Sequence, residues 1–112
     1  MEDLFEVSVS QRKDAAIVTA IGEVDVSTAP VLRQQLRDQP EDALVVVDLS
    51  DVTFLDSTGL GVLVAALKRV REAGAGGELR LVVSRPQVSK VLEVTGLSRV
   101  FSIFPTLEEA LA

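Results

Sequence analysis

The run Asp56-Ser57-Thr58-Gly59-Leu60-Gly61 gathers three oxygen-bearing side chains and two glycines just where an apolar helical pattern begins. Asp, Ser and Thr at a helix start accept from backbone N–H groups that have no intrahelical partner. The same N–H groups, with the positive end of the helix dipole, favour an approaching anion. Gly59 and Gly61 are expected to leave the first turn bare, open to a phosphate or to another protein's backbone. A second acidic segment, Gly22-Glu23-Val24-Asp25, contributes the carboxylates of Glu23 and Asp25. Taken alone, Asp56-Ser57-Thr58 reads as a helix cap, and Glu23 and Asp25 read as solvated loop residues. Gly59-Leu60-Gly61 opens like a dinucleotide fingerprint but lacks the third glycine and the acidic residue at the right distance, so nucleotide binding is a minor alternative.

The rest of the composition narrows the chemistry. The chain has 112 residues and no His, Cys, Trp or Tyr. Without cysteine there are no disulfides, thiolate metal sites or thiol nucleophiles, and without histidine the commonest general base and metal ligand are missing. No cofactor or metal is called for, and an enzyme is the least favoured class. A net charge of −6 repels a phosphate backbone and argues against direct nucleic-acid binding. Lys68, Arg69 and Arg71 interrupt the longest apolar stretch, so no membrane span is expected. The start, Met1-Glu2-Asp3-Leu4, lacks the basic region of a leader, which makes the cytoplasm the default location.

Elements that position these residues follow from periodicity. Phe5, Val7 and Val9 alternate with polar residues, and Ala16 to Ile21 forms a second strand. The short Arg12-Lys13-Asp14 connection between them implies an antiparallel hairpin. Gly22 to Asp25 is expected to leave the sheet. Ser27 or Thr28 can cap a first helix that has Pro30 in its first turn, Leu32 and Leu36 inward, and an end near Gln39 before Pro40. Leu44 to Val47 is a continuous apolar run, expected to be the central strand.

Leu60, Leu63, Val64, Leu67 and Val70 carry the second helix to a glycine-rich stop that begins at Gly74. Leu79 to Val83 is the next strand. Pro86 opens a third helix with Val88, Val91 and Leu92 inward and Gly96 as its left-handed stop. Val100 to Phe104 is the last strand, and Thr106-Leu107-Glu108-Glu109 has capping-box spacing for a closing helix. Residues 1–112 therefore read as one α/β domain in the order β-β-α-β-α-β-α-β-α. Its mixed five-stranded sheet would start as an antiparallel hairpin and continue with parallel strands, the crossover helices falling on one face.

Three stretches of this sequence resemble a known family. DLSDVTFLDSTGLGVLVAAL, GEVD at Gly22 to Asp25, and VLEVTGL at Val91 to Leu97 resemble the STAS-domain family, in particular the bacterial anti-sigma factor antagonists. The resemblance implies partner switching in transcription regulation. The unphosphorylated antagonist binds an anti-sigma factor, itself a serine kinase, and so frees a sigma factor; phosphorylation ends the capture, and a metal-dependent serine phosphatase restores it. The family phosphoacceptor follows the aspartate of the D-S-[ST]-G box, here Ser57, with Thr58 at the second position. Glu23, Asp25, Asp56, Thr58, Gly59, Leu60 and Gly61 would form the docking surface, with Leu60 as a partly exposed apolar anchor. The protein would act as a monomer or weak dimer. A STAS interaction or sensor module within a larger signalling complex is the other family role, and nucleotide binding is the remaining alternative.

Phosphorylation adds about −1.5 to −2 charges. At an exposed helix start the dipole returns only about 0.3–1 kcal/mol, small beside the roughly 5–15 kcal/mol that holds a domain folded. Inverting a binding preference from 1:99 to 99:1 takes about 5.5 kcal/mol, which a desolvated doubly charged group beside Asp56 and Asp25 can largely supply. The expected switch acts on an interface, with the fold intact.

Overall fold

The computed structural model describes residues 5–112; the acidic start Met1-Glu2-Asp3-Leu4, discussed above, lies outside the described residues. Two strands, β1 (Phe5–Arg12) and β2 (Ala15–Val24), form the expected antiparallel hairpin, with Arg12 opposite Ala15. Lys13 in the tight turn takes a positive φ of 55°. There follow α1 (Ala29–Arg37), β3 (Leu44–Leu55), α2 (Ser57–Ala73), β4 (Glu78–Val82), α3 (Pro86–Val94), β5 (Ser102–Phe104) and α4 (Leu107–Leu111), with a short 3-10 turn at Leu97–Arg99. The sheet order is β1-β2-β3-β4-β5, and every pair after the hairpin is parallel. β3 is central, as its apolar start implies.

Alternation along the strands divides the core. Val18, Ala20, Val45, Val47 and Leu81 face Leu32 and Leu36 of α1, Leu63 and Leu67 of α2, and Val88 and Leu92 of α3 in one cluster. Ile17, Val46 and Val82 point the other way, where Ala110, Leu107 and Leu111 of α4 cover them with Phe104. The crossover helices thus share one face and the closing helix takes the opposite one. Each large aliphatic side chain buried this way contributes about 1.5–3 kcal/mol, so the stripe on α2 is enough to fix that helix on the sheet.

Several boundaries differ from expectation, among them β4, expected over Leu79 to Val83, which runs Glu78–Val82. Gly22, Glu23 and Val24 do not leave the sheet but continue β2, and Asp48 to Leu55 continue β3, because their backbones stay paired as far as Val24 opposite Leu55. The register slips twice along this extension, between Thr19 and Ile21 and between Gly22 and Glu23, each slip leaving one extra residue in β3. Gly22 occupies the second slip with φ 104°, a conformation that side-chain-bearing residues rarely adopt. α1 ends at Arg37, short of Gln39, whose side-chain amide turns back to donate to the Gln35 carbonyl at 3.0 Å. The last strand begins at Ser102, since Val100 closes the 3-10 turn by donating to the Leu97 carbonyl at 3.0 Å.

Candidate functional site

Because β2 and β3 are parallel neighbours, their carboxyl ends meet. The Asp56 N–H donates to the Val24 carbonyl at 3.2 Å, so Asp25 and Asp56 are each the first residue beyond a pair of adjoining strand ends. The two acidic segments therefore lie side by side at one edge of the sheet.

Asp56 is the N-cap of α2: its backbone is extended and Oδ1 accepts from the Gly59 N–H at 3.0 Å. Such a cap is worth about 1 kcal/mol. With Asp56 performing it, the Ser57 side chain at the first helical position is exposed, and Thr58 is half-buried beside it.

Asp25 organises the other segment. Its Oδ1 accepts from the N–H groups of Ser27 at 2.9 Å and Thr28 at 3.1 Å, while its carbonyl accepts from Ala29 at 2.8 Å. Thr28 is formally the N-cap of α1, but its hydroxyl makes no cap bond. Thr28 Oγ1 instead accepts from the Asp25 N–H at 2.9 Å and lies near both the Glu23 carbonyl, at 2.7 Å, and Asp25 Oδ1, at 3.2 Å. A hydroxyl has one proton, and the shorter contact, to Glu23, takes it. The cap expected of Ser27 or Thr28 is thus supplied by Asp25, whose carboxylate was expected to be free. Asp25 Oδ2 has no hydrogen-bond partner among the described residues. Glu23 sits half-buried near the end of β2.

The glycines have different surroundings. A Cβ on Gly59 would fall 2.5 Å from Leu55 Cδ1 and 2.8 Å from Val24 Cγ1, so this glycine lets α2 rest directly on the two strand ends. It is buried and does not leave the turn bare. At Gly61 a Cβ would meet nothing within 4 Å, and that position is open to solvent. Leu60, expected as a partly exposed anchor, is only 9% exposed and belongs to the core, because the close approach at Gly59 rolls this face of the helix onto the sheet. Both Gly59 and Leu60 therefore leave the accessible surface.

Two other apolar side chains in these segments, not singled out by the sequence pattern, are exposed. Val26, between Asp25 and Ser27, is 71% exposed, and Phe54, opposite Glu23, is 49% exposed. An apolar residue inside a polar loop was the signal at Val26. At Phe54 the signal was hidden by the register slip. Among the described residues no group of three His, Cys, Asp or Glu side chains is placed to hold a metal ion, and no helix is long and apolar enough to cross a membrane.

The start of α2 thus offers an exposed Ser57 next to the capping Asp56, with the segment of Asp25 at the adjoining strand end. The STAS domain model matches residues 6–110. The anti-sigma-B factor antagonist of Bacillus subtilis (strain 168) is 38% identical over 100 residues, covering 88% of this chain and 90% of its own length. The anti-sigma-F factor antagonist RsfB of Mycobacterium tuberculosis (strain H37Rv) is 32% identical over 112 residues, covering 97% and 88%. The crystal structure of an anti-sigma factor antagonist from Mycobacterium paratuberculosis aligns with a TM-score of 0.85 at 32% identity, covering 96% of this chain and 92% of that one. With this breadth of match in both sequence and fold, the chain belongs to the STAS-domain family.

Proposed function

We propose that the protein is an anti-sigma factor antagonist, acting as one STAS domain that binds an anti-sigma factor serine kinase while unphosphorylated and is released when Ser57 is phosphorylated. The observation that carries this reading is the division of labour at the start of α2. Asp56 makes the cap bond, so the adjoining Ser57 hydroxyl is exposed and available to a kinase. The names of the relatives at 32% and 38% identity support the same role.

The activity is binding, and Ser57 is the substrate residue of another enzyme. Capture of the anti-sigma factor frees a sigma factor in the cytoplasm. A phosphate on Ser57 would face the carboxylates of Asp56 and Asp25, so a partner surface suited to two carboxylates would meet an added dianion and lose affinity by repulsion and desolvation. A serine phosphatase then resets the switch.

The test is reconstitution with an anti-sigma factor kinase from the same cell. The unmodified protein should form a stable complex with it. ATP should place one phosphate on Ser57, and the complex should then dissociate. Phosphate found elsewhere, or a complex indifferent to phosphorylation, would refute the proposal.

A further inference from the structure

α1 and α2 do not close completely over the sheet. Between them lies a cavity of about 150 Å³, floored by Val45 of β3 and Leu79 of β4 and walled by Leu36 of α1 and by Val62 and Val70 of α2. Every charged side chain lining it is an arginine, Arg33, Arg37 or Arg69, in a chain whose net charge is −6. Arginine stems commonly roof apolar surface, which would leave no cavity. Here the space stays open.

The three arginines differ in their commitments. Arg69 is tied down: its guanidinium donates to the Gln39 carbonyl at 3.3 Å and lies 3.5 Å from Glu41. Arg33 and Arg37 form no ion pair among the described residues. They stand four positions apart on one helix, an arrangement in which like charges repel. Two uncompensated guanidinium groups at the side of an apolar cavity match a ligand with one anionic end and an apolar body.

We propose that this cavity binds a small anionic amphiphile, a carboxylate on a short alkyl chain, with the tail against Leu36, Val45 and Val70 and the carboxylate on Arg33 and Arg37. A space of roughly 150 Å³ is about enough for a benzene-sized group, which sets the buried part of the chain at about six carbons. The site is separate from the one around Ser57. Val45 and Leu79 lie near the beginnings of their strands, whereas Ser57 follows the end of β3, and Arg69 is about 18 Å along α2 from Ser57 at the usual helical rise.

Titration of the isotope-labelled protein with sodium octanoate and, separately, octan-1-ol tests the proposal by amide chemical shifts. Octanoate should give saturable shifts centred on residues 33–37 and 62–70 and bind about tenfold more tightly than the alcohol, as expected for a charge-assisted contact. The double variant Arg33→Gln/Arg37→Gln should lose about that tenfold for octanoate and leave the alcohol unchanged. Ala65→Phe, an exposed position lining the cavity, should block both ligands without altering a charge. Absence of saturable shifts in these segments, equal affinity for acid and alcohol, or full octanoate binding by either variant would overturn it.

Discussion

The Asp56 N–H donates to the Val24 carbonyl at 3.2 Å, and this one backbone bond brings the segments after β2 and β3 to a common point. It lies at the end of an extension in which β3 carries two register slips against β2 and Gly22 takes a positive φ. The segments that carry Asp25 and Asp56 are thereby brought together at the strand ends by the sheet itself, ahead of any partner. A face positioned this way needs little ordering when a partner docks.

Replacing Ser57 by Ala should give a folded antagonist that stays bound to its anti-sigma factor in the presence of ATP. The alanine keeps the Asp56 cap, since that bond uses the Gly59 N–H and not the Ser57 side chain. Ser57→Asp should weaken binding by less than phosphorylation does, because aspartate carries only part of a phosphate's charge. Affinities measured by titration calorimetry for the two variants and the phosphoprotein check the order; equal values would remove charge from the mechanism.

Phosphorylation of Ser57 should move the thermal midpoint only slightly. The helix dipole contributes about 0.3–1 kcal/mol in favour of the phosphate, and repulsion from the neighbouring carboxylates at an exposed position opposes it with similar size. Since 1 kcal/mol corresponds to roughly 4–8 °C for a domain of about this length, the net change should stay below about 8 °C. Melting followed by circular dichroism on the modified and unmodified protein measures it, and a larger drop would mean that the switch acts by unfolding.

Gly59 and Gly61 should respond oppositely to alanine. At Gly59 the new methyl collides with Val24 Cγ1, on a stiff β-branched side chain, and with Leu55 Cδ1 in the core, so Gly59→Ala should cost about 1–3 kcal/mol. At Gly61 the methyl has open space, and alanine is the better helix former by about 1 kcal/mol. Gly61→Ala should therefore raise the midpoint while Gly59→Ala lowers it, in the same melting experiment. A midpoint lowered by both would show that the first turn of α2 is packed more tightly than its geometry here.

The residues that were legible in the sequence share a physical trait: a local signal unopposed by tertiary packing. Pro86 and Gly96 bound α3 as expected, Thr106 Oγ1 accepts from the Glu109 N–H at 3.2 Å, and Asp56 caps α2. What was not legible depended on neighbours. The full length of β3 was obscured because Asp48, Ser50, Asp51 and Thr53 and the two slips break simple alternation, while backbone pairing to β2 holds the strand regardless. Leu60 opens the apolar stripe of its helix, but its glycine neighbours suggest partial exposure, and only the close approach at Gly59 buries it. Asp25 was read as a free carboxylate, and only the fold of residues 25–29 reveals that one oxygen is occupied.

The docking face is the last consequence to be tested, and its anchors follow from that correction. With Leu60 buried, the exposed apolar side chains in these two segments are Val26, just beyond β2, and Phe54, next to last in β3. Apolar groups ringed by charge are the usual centres of binding energy, and rim charges mainly set the association rate. Val26→Ser and Phe54→Ser should therefore each weaken capture of the anti-sigma factor by about tenfold, chiefly through faster dissociation, and leave the fold intact because both side chains already face solvent. Asp25→Asn should act differently. The amide oxygen can still accept from Ser27 and Thr28, so the turn survives, but the lost charge should slow association and flatten its salt dependence. Asp25→Ala loses the acceptor as well and should also lower the melting midpoint. Surface plasmon resonance with the kinase immobilised separates the two rates. Wild-type dissociation from both serine variants, together with a large loss on altering Ser89 or Glu93 of α3, would place the partner on the helix face and away from Ser57.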